Sequence, residues 1–541
     1  MTPDGQIDKL VFAKLKELKI QPALCSDAVF VRRAYLDIIG KLPTAKEAKD
    51  FIQDPDTKNK RRLLIDRLLE RDEFADYWAM RWGDILRIKA EFPVNLWPNA
   101  AQAYHRWIRA ALAENMPYDK FARELLTSSG SNFRVGPVNF YRAIQNRTPE
   151  GIASAVALTF MGTRTDHWPT NKLAGMAVFF SQVGYKPTSE WKEEHVFWNP
   201  LGTGIVAASS VPGKAAIAAI ASNAVAQVTV VGPINNGPLE AVFPDGTKVK
   251  LSPNKDPREV FADWLITPKN PWFTRSIVNR LWAWLMGRGI IHEPDDIRDD
   301  NPPSNPALLA HLEKEMVAGR YDMKRFMRLI LNSKTYQFSS MPRVTTPEAE
   351  ANFASYALRR LDAEVLIDAI NQITGATDLY TSPIPEPFTY IPEGMPAVAI
   401  ADGSITSPFL TLFGRSARAT GMENERSNKP VPGQWLHMLN SSHIHRKIDQ
   451  GPKMRAIIDS GRKPQEIIEE LYLTILSRFP TDDEIKTIEK YGQSQTVKQP
   501  PLRKDGKTIP QPDKTIIVKR RDDWVDIAWS LINSTEFLYR H

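Results

Sequence analysis

Cysteine is almost missing: Cys25 stands alone among 541 residues. One thiol excludes an internal disulfide framework, a four-cysteine zinc site and the two-thioether attachment of a c-type haem. Long apolar runs are missing as well. The most apolar stretch, Ala215 to Val231, is interrupted by Ser222, Asn223 and Gln227, so nothing reaches the roughly 18 apolar residues that cross a bilayer as a helix. The opening residues, Met1-Thr2-Pro3-Asp4-Gly5, contain no charged segment followed by an apolar one, which suits a cytosolic protein or one whose export signal has been cut away. Charge of one sign is scarce: 70 basic against 63 acidic residues leave +7, too diffuse an excess for a nucleic-acid binder. Two catalytic signatures are absent. Leu201-Gly202-Thr203-Gly204 lacks the strand, turn, helix and lysine of a phosphate loop, and no Gly-x-Ser-x-Gly elbow occurs, which argues against a nucleotide-dependent enzyme or an α/β-hydrolase.

What remains is ordinary globular composition, 42% hydrophobic and 25% charged, with room for roughly two to four domains. From Ile7 to about Phe180 apolar residues recur at helical spacing, as in Phe74, Trp78 and Trp82, and Thr44 to Glu47 reads as a capping box. Between Gly202 and Leu251 the pattern changes to alternation at Val225 to Val231, Leu239 to Phe243 and Thr247 to Leu251, with Asn236-Gly237 and Asp245-Gly246 as turns. Asp256-Pro257-Arg258-Glu259 restarts a helix, and helical periodicity then runs to the C-terminus. The expected fold is mainly α: a helical domain over 6–200, a small β subdomain or insertion over 201–255, and a second helical domain over 256–541. Prolines between Thr381 and Pro408 predict an irregular loop long enough to bind a ligand. The segment Lys498 to Arg521, with eight basic and two acidic residues, predicts an exposed hairpin excursion. A weak repeat links Tyr35 to Thr44 and Glu47 with Tyr472 to Thr481 and Glu484, and Glu73-Phe74 with Glu536-Phe537, so one helical unit is expected to open and close the chain.

Three clusters are candidates for chemistry. Glu293, Asp295, Asp296, Asp299 and Asp300, on a segment held irregular by Pro294, Pro302 and Pro303, could converge on Ca²⁺ or another divalent cation, although the spacing is not that of an EF-hand; capping and pairing with nearby arginines are the structural counterpart. His437, His443 and His445 are a candidate zinc or iron group, the last two sharing a face only on extended backbone. Glu423, Glu425 and Arg426, beside Arg415 and Arg418, are the candidate acid/base or anion-binding group, with buried ion pairing as its counterpart. Of fourteen tryptophans, Trp97, Trp168, Trp191 and Trp198 lie near prolines or polar residues where a sugar could stack, while Trp78, Trp82, Trp264, Trp282 and Trp284 lie at helical core spacing.

The chain resembles a known pair of domains. Phe30-Val31-Arg32-Arg33 to Pro43-Thr44, Arg62 to Trp82, and Phe160-Met161-Gly162 with Leu173 to Phe180 resemble the domain of unknown function 1549. Asn270-Pro271-Trp272-Phe273, Val278 to Trp282, Gly287-Arg288-Gly289, Arg360 to Glu364, Gln434 to Asn440 and Asn533 to His541 resemble domain 1553. The resemblance implies a planctomycete-type exported protein of the periplasm or cell surface, from a cytochrome-associated family of unsettled activity. Many relatives place a Cys-x-x-Cys-His haem motif after the Phe-x-Gly element. This chain reads Thr163-Arg164-Thr165-Asp166-His167-Trp168-Pro169 there, so covalent haem is not expected, and Arg164, His167 and Trp168 are left as ligand-binding candidates alongside Arg415 and Arg418. A secreted partner resembling the alkaline-phosphatase and sulfatase superfamily is implied too. The expected role is a cell-envelope binding or accessory protein; the alternative is a hydrolase or lyase acting on extracellular glycan or sulfated polysaccharide.

Overall fold

A computed structural model describes residues 1–201, 239–497, 502–504, 507–509 and 514–541, and the fold is mainly α-helical. Local sequence sets the helix starts. Ser26 accepts the Val29 amide ahead of Asp27–Ile38, and Thr44 and Thr481 close full capping boxes with Glu47 and Glu484. Each box satisfies amide groups that have no partner within the helix. Two helices are buried on nearly every side, Asp72–Ile85 and Phe273–Met286. Such helices occupy a core rather than line it. They meet through Trp284, whose ring lies 5.6 Å from both Trp78 and Trp82, so the two helical halves share one core.

The strands are short and local. Gly130–Ser131, Glu194–Trp198 and Val183–Pro187 form a three-stranded antiparallel sheet with 194–198 in the centre, none of it anticipated from the helical pattern. Glu240–Val242 pairs with Lys248–Lys250 around the Asp245-Gly246 turn, as expected, with Gly246 at φ +90°. This hairpin does not stand apart: Phe243 stacks on Phe179 at 4.6 Å and on Trp264 at 4.9 Å, inside an aromatic cluster of the helical body. The expected alternation at Val225 to Val231 and the Asn236-Gly237 turn lie outside the described residues. Gln493–Val497 pairs with Lys514–Val518, and Leu502–Lys504 with Lys507–Ile509, two antiparallel pairs within the expected basic hairpin segment.

The repeat read from the sequence recurs in space. In the first unit Gly40 (φ +63°) ends the opening helix and in the second Ser477 (φ +60°) does so, each before a Pro-Thr capping box. Gly40 has no room for a side chain, since a Cβ there would sit 2.5 Å from the Tyr77 ring. In the first unit Arg71 spans Glu47 (3.0 Å) and Glu73 (2.7 Å) over the Tyr35 ring; in the second Arg478 spans Glu484 (2.7 Å) and Glu536 (2.6 Å) over Tyr472. The two units also touch. Arg32 donates to the carbonyls of Ile475 (2.9 Å) and Phe537 (2.8 Å), and Lys49 pairs with Glu469 at 2.8 Å.

Candidate functional site

The arginine and glutamate candidates around residue 420 are built into the shared core. Arg426 donates through Nε to Asp84 (2.8 Å) and through both Nη atoms to Glu364 (2.6 and 2.9 Å). Arg418 donates to the other Asp84 oxygen at 2.9 Å, and Arg415 stands 3.2 Å from Glu364. Asp362 receives Arg81 (2.8 Å), Arg540 (2.6 Å) and Asn428 (2.8 Å), while Asp37 receives Arg540 (3.0 Å) and the hydroxyls of Tyr336 and Tyr356. All these charged side chains are less than 10% exposed. Burial alone would push Asp362 and Glu364 up; the surrounding arginines outweigh it and hold Glu364 at about 2 and Asp362 well below its ordinary value. These groups form a buried ionic lattice between the helices Asp27–Ile38 and Asp72–Ile85 and the segments 359–374, 415–428 and 539–540. Of the catalytic candidates, Glu425 accepts the amides of Ala419 (2.9 Å) and Thr420 (3.3 Å), fixing that loop. Burial pushes the Glu423 carboxyl up against the pull of Arg81, and its own amide donates to Asp295 at 2.6 Å.

The acidic loop is drawn toward arginines rather than toward one point. Asp295 is bonded to buried Arg280 at 2.7 Å, Glu293 to Arg164 at 3.0 Å, and Asp296 and Asp300 lie on either side of Arg298 at 3.3 Å. Among the described residues no three His, Cys, Asp or Glu side chains are placed to hold a metal ion. The loop is instead tied to the segment after Phe160-Met161-Gly162: the Ile297 amide donates to the Gly162 carbonyl (2.8 Å) and Thr163 Oγ1 to the Ile297 carbonyl (3.0 Å). Of the ligand-binding candidates there, Arg164 lines a cavity of about 300 Å³ between residues 144–158 and 419–422, His167 is exposed, and Trp168 lies under the Lys172 ammonium at 4.3 Å. The tryptophans scatter: Trp97 packs on Phe388 at 5.4 Å, Trp191 is exposed, and Trp198 Nε1 donates to Gln182.

The histidines behave differently. Ser441 caps a helix over Ser442–Gln450, so the backbone is not extended and His443 and His445 point apart; His445 is exposed. His437, from the helix Pro432–Asn440, joins His443 instead, with His437 Nε2 3.5 Å from His443 Nδ1. His443 Nε2 bonds to Asp378 Oδ1 at 2.7 Å, a partner the sequence reading missed. Asp378 also meets Lys447 Nζ at 3.0 Å and Asn371 Nδ2 at 2.9 Å. Burial pushes the Asp378 carboxyl up, but the His443 hydrogen bond and the Lys447 charge hold it below its ordinary value. Burial and the neighbouring His443 lower the His437 imidazole, which favours its neutral form. Phe409 presents its ring at 5.6 and 6.1 Å to the two imidazoles. All of this faces an open cleft of about 620 Å³, lined by Asp378, Ser407, Phe409, His437, His443 and Arg446 among others.

Two family models cover most of the chain: one for a protein of unknown function, DUF1549, matches residues 6–177, and one for a protein of unknown function, DUF1553, matches residues 257–492. The chain belongs to the DUF1549–DUF1553 family. Neither a curated protein nor a solved structure matches it. In this DUF1549–DUF1553 protein the ionic lattice joins the matched regions, since Arg81 and Asp84 lie in the first and Asp362, Glu364, Arg418 and Arg426 in the second. The histidine cleft lies wholly within the second.

Proposed function

We propose that the protein is an exported binding or accessory component of the cell envelope, without covalent haem, whose ligand enters the cleft at His437 and His443. The state of the ionisable groups carries this reading. Around Asp84, Asp362 and Glu364 each carboxylate already has fixed arginine partners, whereas His437 and Arg446 face open space, Arg446 donating through Nε to a carbonyl of its own helix. A glycan or sulfated glycan suits the walls: Phe409, Pro408 and Pro452 offer apolar faces to a sugar ring, and Arg446 a fork for a sulfate or carboxylate. Export, and a secreted partner of the alkaline-phosphatase and sulfatase superfamily, rest on the family resemblance. The hydrolase or lyase alternative gains nothing from Glu425, whose carboxylate is engaged by backbone amides, or from Glu423, packed among Arg81, Arg280 and Asp295.

A thermal-shift screen against neutral and sulfated glycans tests the reading. A ligand at 100 times its Kd stabilises the fold by about 2.7 kcal/mol, and Arg446→Ala is expected to weaken that gain. A panel without a single stabilising member, or gains unchanged in Arg446→Ala, would overturn it. A Soret band surviving denaturation of the purified protein would overturn the haem-free part, and recovery in the cytoplasmic fraction of the native host would overturn export.

A further inference from the structure

We propose that the cleft holds a divalent transition metal of the zinc, nickel or copper class, with His437 Nε2 and His443 Nδ1 as its protein ligands and Asp378 orienting His443. This deepens the reading of the cleft as the ligand site and rests on it. Three features point to an ion. First, the two ring nitrogens face each other at 3.5 Å, long for a hydrogen bond between them. Two nitrogens bound at 2.0–2.1 Å to one tetrahedral ion stand about 3.4 Å apart. Second, His443 Nε2 lies 2.7 Å from Asp378 Oδ1; an ionised carboxylate can only accept, so the proton sits on Nε2 and, in the neutral ring, Nδ1 keeps its lone pair on the side of His437. A metal-bound imidazole almost always gives its other N–H to a carboxylate in this way. Third, the carboxylate is itself anchored, by Lys447 at 3.0 Å and Asn371 at 2.9 Å, and Phe409 packs against both rings. The ligand set is therefore oriented before any ion arrives.

The chemistry of the donors selects the ion. Imidazole suits zinc, nickel and copper, whereas calcium and magnesium take oxygen donors. Among the described residues no third His, Cys, Asp or Glu completes the set, so the ion keeps positions open for water or for a ligand in the cleft. Structural zinc sites are closed by four protein ligands and catalytic ones carry three, so a two-imidazole centre holds its ion less tightly than either and exchanges it readily.

Chelator-treated full-length protein titrated calorimetrically with zinc, nickel or copper chloride is expected to bind one ion per chain, and none with calcium or magnesium chloride. His437→Gln and His443→Ala are each expected to weaken binding at least tenfold. Asp378→Asn should weaken it roughly 10- to 100-fold with the stoichiometry kept, as for an orienting carboxylate. His445→Ala, on the exposed side of the same helix, should leave the isotherm unchanged. With Cu²⁺, electron paramagnetic resonance should show hyperfine coupling to two imidazole nitrogens, lost in His437→Gln, whose half-exposed position makes it tolerant of the change. No binding by any of the three ions, or equal binding by the wild type and the His437→Gln/His443→Ala double variant, overturns the site. The two readings fail separately: a metal that binds while no glycan does leaves this site standing and removes the glycan, and glycan binding indifferent to chelator with no metal titration does the reverse.

Discussion

Replacing Arg426 by methionine tests whether the clustered charges near residue 420 are core struts or chemistry. The guanidinium is 4% exposed and bonds Asp84 and Glu364, themselves 9% and 0% exposed, so its removal strands two carboxylates in a dry core. Breaking a buried pair by removing one partner costs about 3–5 kcal/mol. Arg418 stays on Asp84 at 2.9 Å and Arg415 within 3.2 Å of Glu364, so the two losses do not double and about 4 kcal/mol is expected. Native domains are stable by only about 5–15 kcal/mol, which makes this a large fraction. The pH dependence has a definite sign. Glu364 is held at about 2, since burial pushes it up but Arg426 and Arg415 pull it further down; its contribution is present above the ordinary carboxylate value and is lost as pH falls through about 2. Without Arg426 burial gains weight, the carboxyl moves up, and the deficit of the variant is greatest at neutral pH and narrows toward pH 4.5. Urea unfolding followed by tryptophan fluorescence at pH 7.5 and 5 measures both effects, and Glu364→Gln in the variant background should recover part of the loss. A variant within about 0.5 kcal/mol of the wild type at pH 7.5, the range of an ordinary surface change, would refute the strut reading.

Asp295→Asn should lower the melting temperature equally in calcium and in chelator, because Asp295 bonds Arg280 and the Glu423 amide, while Asp299→Asn should change little in either; a loss confined to calcium would mean that the loop holds the ion. Thr44→Ala and Thr481→Ala should each cost about 1 kcal/mol in urea unfolding, being the same capping box twice, and a neutral result at one alone would break the equivalence of the two units. Burial raises Asp368 to about 7 against the pull of the Val398 and Ala397 amides, so its contribution is full below pH 3.8 and is lost as pH rises through about 7. Asp368→Asn should flatten the fall in stability between pH 4 and 7, and an unchanged slope would assign that fall to other groups.

Much of the fold was legible because its signals are local. The Phe74, Trp78, Trp82 stripe, the two capping boxes, the Asp245-Gly246 turn and the recurrence of Tyr35 and Glu47 as Tyr472 and Glu484 each lie within a few residues, where periodicity and cap chemistry act. The sheet centred on 194–198 was not, since its strands are two to five residues long and their burial does not alternate. The candidate site was legible only in part: His437 and His443 stood out as a group, but their carboxylate partner Asp378 did not. Asp378 and His443 are 65 positions apart and meet only because the helix Ser442–Gln450 turns His443 toward the loop; that same helix sends His445 away. The acidic loop is dense in sequence, and nothing local announces that Arg280 and Arg164 reach it.

The placement of the ionic lattice bears on what the two family domains are. Asp37, Arg81 and Asp84 come from the first matched region, and their partners, Arg540, Asp362, Arg418 and Arg426, from the C-terminal half. Cut near residue 200, each half would keep its buried charges and lose their counter-charges, leaving in low dielectric groups that cost several kcal/mol each. Trp284 would likewise lose the Trp78 and Trp82 faces it fills. On these contacts the two matched regions are expected to fold together rather than as independent units. The repeated unit at either end reinforces this, because Arg32 of the opening unit donates to Ile475 and Phe537 of the closing one, so the chain is fastened at its two ends as well as through its middle.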